Sequence, residues 1–272
     1  MASSGLVLCT TVWGVTPQAK NTGTSTGVMV TGGSGGLGER ICSTLAADGV
    51  DVAVGFLHGA ERAEAVRDSM EALGRRSITV RLDQTSADSI DAAIAQVTEQ
   101  FGGLDILVNN AAMASGGHTI PLGDLEAFTP EIWDEMMAVN LRGPYLVTRA
   151  AAPHLRSSAW GKVVNIGSTL GHGDWYADRP FGPSKAAIVP LTRFLAASLA
   201  PDVAVNCVSP GLMVDTGMGS GGPEELVEGW RNRAALNVTT SIDNVAGQVV
   251  YLCKTSTVTG QSIVVDGGIN FH

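Results

Sequence analysis

The sequence predicts an α/β protein: a doubly wound, mostly parallel seven-stranded sheet of the Rossmann type, in a single domain. Three observations predict it. Short apolar runs rich in β-branched residues alternate with segments of helical spacing along the chain. Those runs are apolar at successive positions, as strands covered on both faces must be. No linker, composition shift or internal repeat divides the 272 residues, a length that suits one large domain.

The expected strands are Val28–Thr31, Val50–Phe56, Ile78–Leu82, Leu104–Asn109, Lys162–Gly167, Val203–Val208 and Ser262–Gly267. Helical spacing marks GERICSTLAADG, ERAEAVRDSMEALG and SADSIDAAIAQVTEQFG between the first four strands. Gly49 and Gly74 stand where the first two helices should stop, at a position that favours positive φ. Ser86 and Asp88 suit the N-cap and first turn of the third helix. Long helices are expected over Glu131 to His154 and over Phe181 to Leu199, and GMGSGGPEEL reads as a lid followed by a helix. The dinucleotide-binding domain is expected to span 26–272, with residues 1–25 as an extension. Within that extension Gly5 to Val15 is apolar, but it lacks a basic flank and is too short to span a bilayer. An extra strand or an arm on a neighbouring subunit is the expected use, and a secretory signal is the other reading.

The formal net charge is −9, and no basic cluster interrupts it, so the surface repels phosphate backbones and nucleic acid is not expected as a partner. No membrane partner is expected either. The four cysteines, Cys9, Cys42, Cys207 and Cys253, lie far apart with no metal-ligand spacing. No metal is expected, and free thiols in a cytoplasmic protein are, with Cys42 and Cys207 in the core.

Chemistry concentrates first at Thr31-Gly32-Gly33-Ser34-Gly35-Gly36-Leu37-Gly38, between the first strand and the first helix. Glycines there let the backbone turn sharply and approach a pyrophosphate, which the helix N-terminus then holds. The same stretch spells G-x-S-x-G at Gly32, Ser34 and Gly36, the pattern of a hydrolase nucleophile elbow. A hydrolase would need a later acid and histidine; His118, His154, His172 and His272 are available, none in a distinguishing context. The elbow also normally follows a central strand reached later in the chain.

Further motifs follow in order. Asp83 comes after the third strand, Asn109-Asn110-Ala111-Ala112 after the fourth, and Asn140 lies in MAVNLRG. Ser168 lies in VVNIGST, Lys185 in FGPSKAAI, then come Pro210-Gly211 and TGQSIVVDGG. In this order and spacing the chain resembles the short-chain dehydrogenase/reductase family over about residues 26 to 270. The resemblance implies an NAD(P)H-dependent carbonyl reductase or alcohol dehydrogenase working by hydride transfer. It implies cofactor contacts at Thr31, Gly32, Ser34, Gly36, Leu37, Gly38, Asp83, Asn110, Ala111, Lys185, Pro210 and Gly211, with Asp83 on the adenine. It also implies substrate binding by Ser168, ribose binding by Lys185, a proton relay supported by Asn140, and a homodimer or homotetramer.

One member of the constellation departs from the family. The position four before Lys185 and thirteen after Ser168, where the family has its catalytic tyrosine, is Phe181. A phenyl ring donates no proton, and losing a general acid costs on the order of 10²- to 10⁴-fold in rate. Either a reductase has had its tyrosine changed to phenylalanine, or a natural member works without it. The second case needs another proton source, with Asp174, Tyr176 and Asp178 nearby, or a substrate already protonated. Imine or enone reduction, a non-redox cyclisation or isomerisation, and a non-catalytic cofactor-binding role are the further readings.

An acid at the end of the second strand would favour NAD, but that position, 18 residues past Gly38, is Phe56, followed by Leu57 and His58. Together with Ser34 and Arg62, His58 could meet a 2′-phosphate, so NADP(H) is expected over NAD(H). The pocket for a small carbonyl, alcohol or imine substrate is expected to draw on Met113, Asp174, Trp175, Tyr176, Asp178, Met213 and Met218.

Overall fold

The computed structural model describes residues 26–114, 124–173, 181–217 and 224–271. The N-terminal extension, His118, the Asp174 to Asp178 group and Met218 therefore lie outside the described residues.

Seven strands form one sheet: β1 Gly27–Val30, β2 Asp51–Phe56, β3 Ser77–Arg81, β4 Ile106–Asn109, β5 Lys162–Ile166, β6 Ala204–Pro210 and β7 Ser262–Val265. Their order is β3-β2-β1-β4-β5-β6-β7. Every pairing is parallel, so no antiparallel edge qualifies the expected parallel sheet. The helices are α1 Gly36–Ala47, α2 Ala60–Glu71, α3 Ala87–Phe101, α4 Pro130–Met137, α5 Gly143–Ser157, α6 Phe181–Ala186, α7 Ile188–Leu199, α8 Glu224–Arg233 and α9 Ile242–Lys254.

The period of two along each strand divides the core. Val28, Val30, Val52, Val54, Val108 and Val164 pack on one face against α1, α2 and α9. Met29, Ala53, Val80, Leu107, Val163 and Val205 pack on the other against α3, α5 and α7. Both faces are apolar because both are covered, which removes the polar alternation of a one-sided sheet. Cys42, Cys207 and Cys253 are free and buried within these layers.

Gly49 has φ 92° just past the α1 cap at Asp48, and Gly74 has φ 77° in the turn that ends α2. The Ser86 hydroxyl caps α3 by accepting from the Ser89 amide at 3.4 Å. Ser89 Oγ in turn accepts from the Asp83 amide at 2.9 Å, tying the start of α3 to the loop after β3.

Three expectations need correction. The helix expected over Glu131 to His154 is interrupted by a π turn at Ala138–Arg142. The helix expected over Phe181 to Leu199 is two helices that meet at Ala187. Strand β6 runs on through Pro210, and α9, which the sequence reading did not single out, covers one sheet face.

Pro144 follows the π turn and has no N–H, so the carbonyl five residues before it, Val139, has no π-type donor in the helix. Gln84 Nε2 takes that carbonyl instead, at 2.7 Å, and also bonds Ala111 O at 3.2 Å. A side chain just after β3 thus fastens the π turn to the loop after β4.

Replacing Ser86 with alanine should lower stability by about 1 kcal/mol, the usual cost of losing a helix N-cap. The urea midpoint of unfolding checks it, with the slope unchanged.

Candidate functional site

In an open parallel sheet, ligands bind beyond the carboxyl ends of the strands where the strand order reverses. Here that point lies between β1 and β4, and the side chains around it are committed to holding it together. Thr31, fully buried, accepts through Oγ1 from the Asn110 and Ala111 amides, both at 3.0 Å. Asn110 Nδ2 donates to the carbonyls of Thr31 and Gly32, each at 3.0 Å. The accepting Thr31 hydroxyl and the donating Asn110 side chain therefore hold the glycine turn and the β4 end to each other.

The glycines leave a cradle. A Cβ on Gly38 would sit 2.1 Å from Gly32 O, and one on Gly32, at φ 62°, would sit 2.9 Å from Ala111 Cα. A Cβ on Gly36 would meet Thr216 at 3.2 Å, so Thr216 closes over the turn from the segment after β6. Gly35 is the N-cap of α1 and makes no side-chain capping bond, so the first α1 amides face this cradle with the positive end of the helix. A pyrophosphate suits such a place: it brings oxygens for the amides, and the missing Cβ atoms let the turn close tightly on Ala111 and Thr216 beside them. The residues present therefore fit a dinucleotide.

The second cluster lies at the ends of β4 and β5. Ser168 opens a short 3-10 turn, Thr169–His172, and its Oγ accepts from the Leu170 amide at 3.2 Å. Gly171 packs directly on the Lys185 backbone, where a Cβ would lie 2.7 Å from Lys185 C. This presses the serine turn onto α6. Asn140, fully buried in the π turn, accepts from the Met113 amide at 2.9 Å and donates to Met113 O at 2.8 Å. It also donates to Ser184 Oγ at 3.1 Å. Asn140 thus holds Met113, after β4, against α6.

Lys185 is buried, and its Nζ donates to Ile166 O, two residues before Ser168, at 2.8 Å. The ammonium lies 5.7 Å from the centre of the Phe181 ring. Desolvation pushes the Lys185 pKa down to about 8, and the opposing pull of Cys207 is smaller. Burial pushes the Cys207 thiol up. Ser168, Phe181, Lys185 and Asn140 are therefore brought together on one side of the sheet end.

The remaining expected residues are spread along the same edge. Pro210 ends β6, and the Gly211 amide bonds Val265 O at 3.0 Å. Met213 is half-buried against the core, and its carbonyl accepts from Thr216 Oγ1 at 3.0 Å. Phe56 is half-buried at the end of β2, with Leu57 and His58 exposed beyond it. The Asp83 carboxylate accepts from the Thr85 hydroxyl at 2.6 Å and amide at 2.9 Å. These bonds, with smaller pulls from Arg81 and His58, lower its pKa. Ser34 and Leu37 are buried beside the turn. Among the described residues no histidine bonds Ser34; His172 Nε2 lies 3.0 Å from Ser209 Oγ instead.

Gln84, Thr216, Arg81 and the His172–Ser209 pair escaped the sequence reading. Gln84 and Thr216 act through folded neighbours far away in the chain, a relation that leaves no local pattern. A proline inside the segment around Asn140 was the one available hint of the π turn. Among the described residues no group of carboxylates, histidines and cysteines could hold a metal ion, and no helix is long and apolar enough to cross a membrane.

A doubly wound parallel sheet with a glycine turn at its switch point places the protein among the dinucleotide-binding α/β folds. Comparison with known proteins narrows the class. Residues 32–270 match the family model described as enoyl-(acyl carrier protein) reductase. The chain is 32% identical over 244 residues to the 3-oxoacyl-[acyl-carrier-protein] reductase FabG of Staphylococcus aureus, covering 89% of this chain and 96% of that protein. A short-chain dehydrogenase from Burkholderia cenocepacia, solved in complex with NADP, superposes with a TM-score of 0.82 at 36% identity, covering 90% of this chain and 98% of that one. A dehydrogenase/reductase from Sinorhizobium meliloti gives a TM-score of 0.83 at 37% identity, covering 92% and 97%. The chain belongs to the short-chain dehydrogenase/reductase family and is an NAD(P)-dependent enzyme of that class.

Thr31→Val would leave the Ala111 amide without its acceptor and the Asn110 amide with Val108 O alone. The expected loss is about 1–3 kcal/mol in urea unfolding, with Thr31→Ser restoring most of it.

Proposed function

We propose that this enzyme uses NADPH to reduce a small carbonyl compound, or NADP to oxidise the corresponding alcohol. The observation that carries the reading is the convergence of the glycine turn, Ser168, Lys185 and the Pro210-Gly211 segment on one edge of one sheet. When bound, the dinucleotide supplies the hydride. The chain's own residues do the rest.

In this reading Thr31, Gly32, Ser34, Gly36, Leu37 and Gly38 shape the pyrophosphate cradle, and Asn110 and Ala111 floor it. Asp83, held ionised by Thr85, takes the adenine amine. Pro210 and Gly211 flank the nicotinamide, and Lys185 holds its ribose. Ser168 Oγ donates to the substrate oxygen as charge builds there, while Asn140 keeps Met113 and α6 in place. Met113 and Met213 line the substrate pocket.

Support for NADP comes from the end of β2. Phe56 offers no carboxylate to repel a phosphate. His58 and Arg81 both act electrostatically on Asp83, and the Arg62 guanidinium lies within 3.2 Å of where a Gly59 Cβ would stand. Among relatives, the Burkholderia cenocepacia enzyme was solved with NADP, and the Staphylococcus aureus protein is named a 3-oxoacyl reductase.

Phe181 favours a second reading on the same scaffold, an imine or enone reductase or a non-redox cyclase that needs no tyrosine. A hydrolase using Ser34 has no comparable support. The assembly is a homodimer or homotetramer in the cytoplasm, formed through α4, α5, α6 and α7, where Tyr145 and Phe194 are exposed.

Fluorescence titration with NADPH and NADH, followed by cofactor oxidation over a panel of ketones, enones and imines, tests the reading. NADPH should bind more tightly. Arg62→Ala should weaken NADPH binding about tenfold, the scale of one charge-assisted phosphate contact, and leave NADH unchanged. Ser168→Ala should lower kcat by roughly 10²- to 10³-fold, as for a lost oxyanion donor. Ser34→Ala should leave turnover nearly intact. Failure to bind either cofactor would overturn the reading.

A further inference from the structure

A carbonyl reduced at this site must gain a proton on oxygen, and Phe181 has none to give. Among the described residues the titratable groups on the Ser168 wall are His172, Cys207, Asp266 and Lys185. Asp266 is taken up by Thr169 Oγ1 and three backbone amides, and the buried Cys207 thiol faces Ser209 Oγ at 3.7 Å. His172 Nε2 lies 3.0 Å from Ser209 Oγ. Ser209 is itself buried and bonded on to Ser262 Oγ at 3.2 Å. Its place is therefore a hydroxyl cluster behind Gly167, where a Cβ would lie 2.5 Å from Ser209 Oγ.

Lys185 is placed differently. Its Nζ carries three protons and, among the described residues, gives one to a hydrogen bond, at Ile166 O. Among the described residues no carboxylate pairs with it, and the Phe181 phenyl ring lies 5.7 Å away. A buried ammonium so poorly matched gives up a proton more readily than a solvated one. In this environment desolvation is the largest influence and brings the group to about 8, within reach of a neutral-pH proton transfer.

We propose that Lys185 is the general acid of this site, protonating the substrate oxygen through Nζ in place of the hydroxyl that Phe181 lacks. The proposal rests on the reductase reading. Hydride from the dihydronicotinamide of NADPH forms the new C–H bond at the carbonyl carbon, and the C=O π pair moves to oxygen. That oxygen, held by Ser168 Oγ, takes a proton from Nζ; the N–H bond breaks and the O–H bond forms. Lys185 is left as a neutral amine, which water reprotonates, and the cofactor leaves as NADP. A substrate that is already an iminium gains nothing from this acid and meets an unfavourable like charge, so the site selects neutral carbonyl compounds.

The test compares the native chain, Lys185→Arg, Lys185→Ala and Phe181→Tyr, with NADPH affinity measured by fluorescence in each. The native chain is expected to reduce ketones, and Lys185→Arg, which keeps the charge but not the labile proton, to bind NADPH yet lose 100-fold or more in kcat. Should arginine not fit the buried slot, Lys185→Ala gives the second reading. Small alkylammonium ions should restore its turnover, with a rate that depends on the amine's pKa, while leaving NADPH affinity unchanged. Rescue independent of amine pKa, or a fully active Lys185→Arg, would overturn the proposal. Activity found only in Phe181→Tyr would overturn it too and leave the reductase reading standing. NADPH binding with no turnover by any form would overturn both.

Discussion

The structure depends on the hydrogen bonds that close the switch point between β1 and β4. Thr31 Oγ1 accepts two amides from the end of β4, and Asn110 returns two bonds to the glycine turn. Without them the turn would have to be built from glycines alone, the residues that lose most freedom on folding. With them, a loop able to approach a ligand closely is also rigid. Gln84 extends the arrangement by fastening Ala111 to the π turn, and Asn140 extends it further by fastening Met113 to α6. A chain of buried amide side chains thus runs from the dinucleotide cradle to the serine–lysine wall. Few of these links are between neighbours in sequence.

The electrostatics of the second cluster follow from the same packing. Lys185 is brought under cover because Gly171 lets the serine turn press on the α6 backbone. Covered, with one carbonyl and one aromatic face for company, the ammonium holds its proton weakly. Phe181 places a phenyl ring 5.7 Å from that ammonium and adds no titratable group, while Asn140 ties Met113 to Ser184 on the same helix. The chemistry open to the site is therefore set by a buried cation and a hydroxyl, a pairing suited to oxygen that becomes negative.

Much of this was legible in the sequence. All seven strands could be read, the central ones because they are apolar on both faces and β3 from its Ile78 and Val80, and Gly49, Gly74 and Ser86 marked helix ends through plain conformational preference. Family spacing located Ser168, Lys185 and Asn140, and the structure brings them together. What stayed hidden depends on contacts between distant residues. Gln84 looks like a polar residue after a strand until Val139 is found to need a donor. Thr216 looks like a loop residue until Gly36 is found beneath it. The break at Ala187 and the π turn escaped because helical periodicity continues across both.

In the proposed complex one cradle, closed by Thr31 and Asn110, holds the cofactor against the Ser168–Lys185 wall. Amide hydrogen exchange with and without NADPH tests it most directly. Exchange should slow at Gly36 to Gly38, at Ala111 and Met113, and across the Ser168 turn. Protection confined to other parts of the sheet edge, or an unchanged exchange pattern at saturating NADPH, would contradict it.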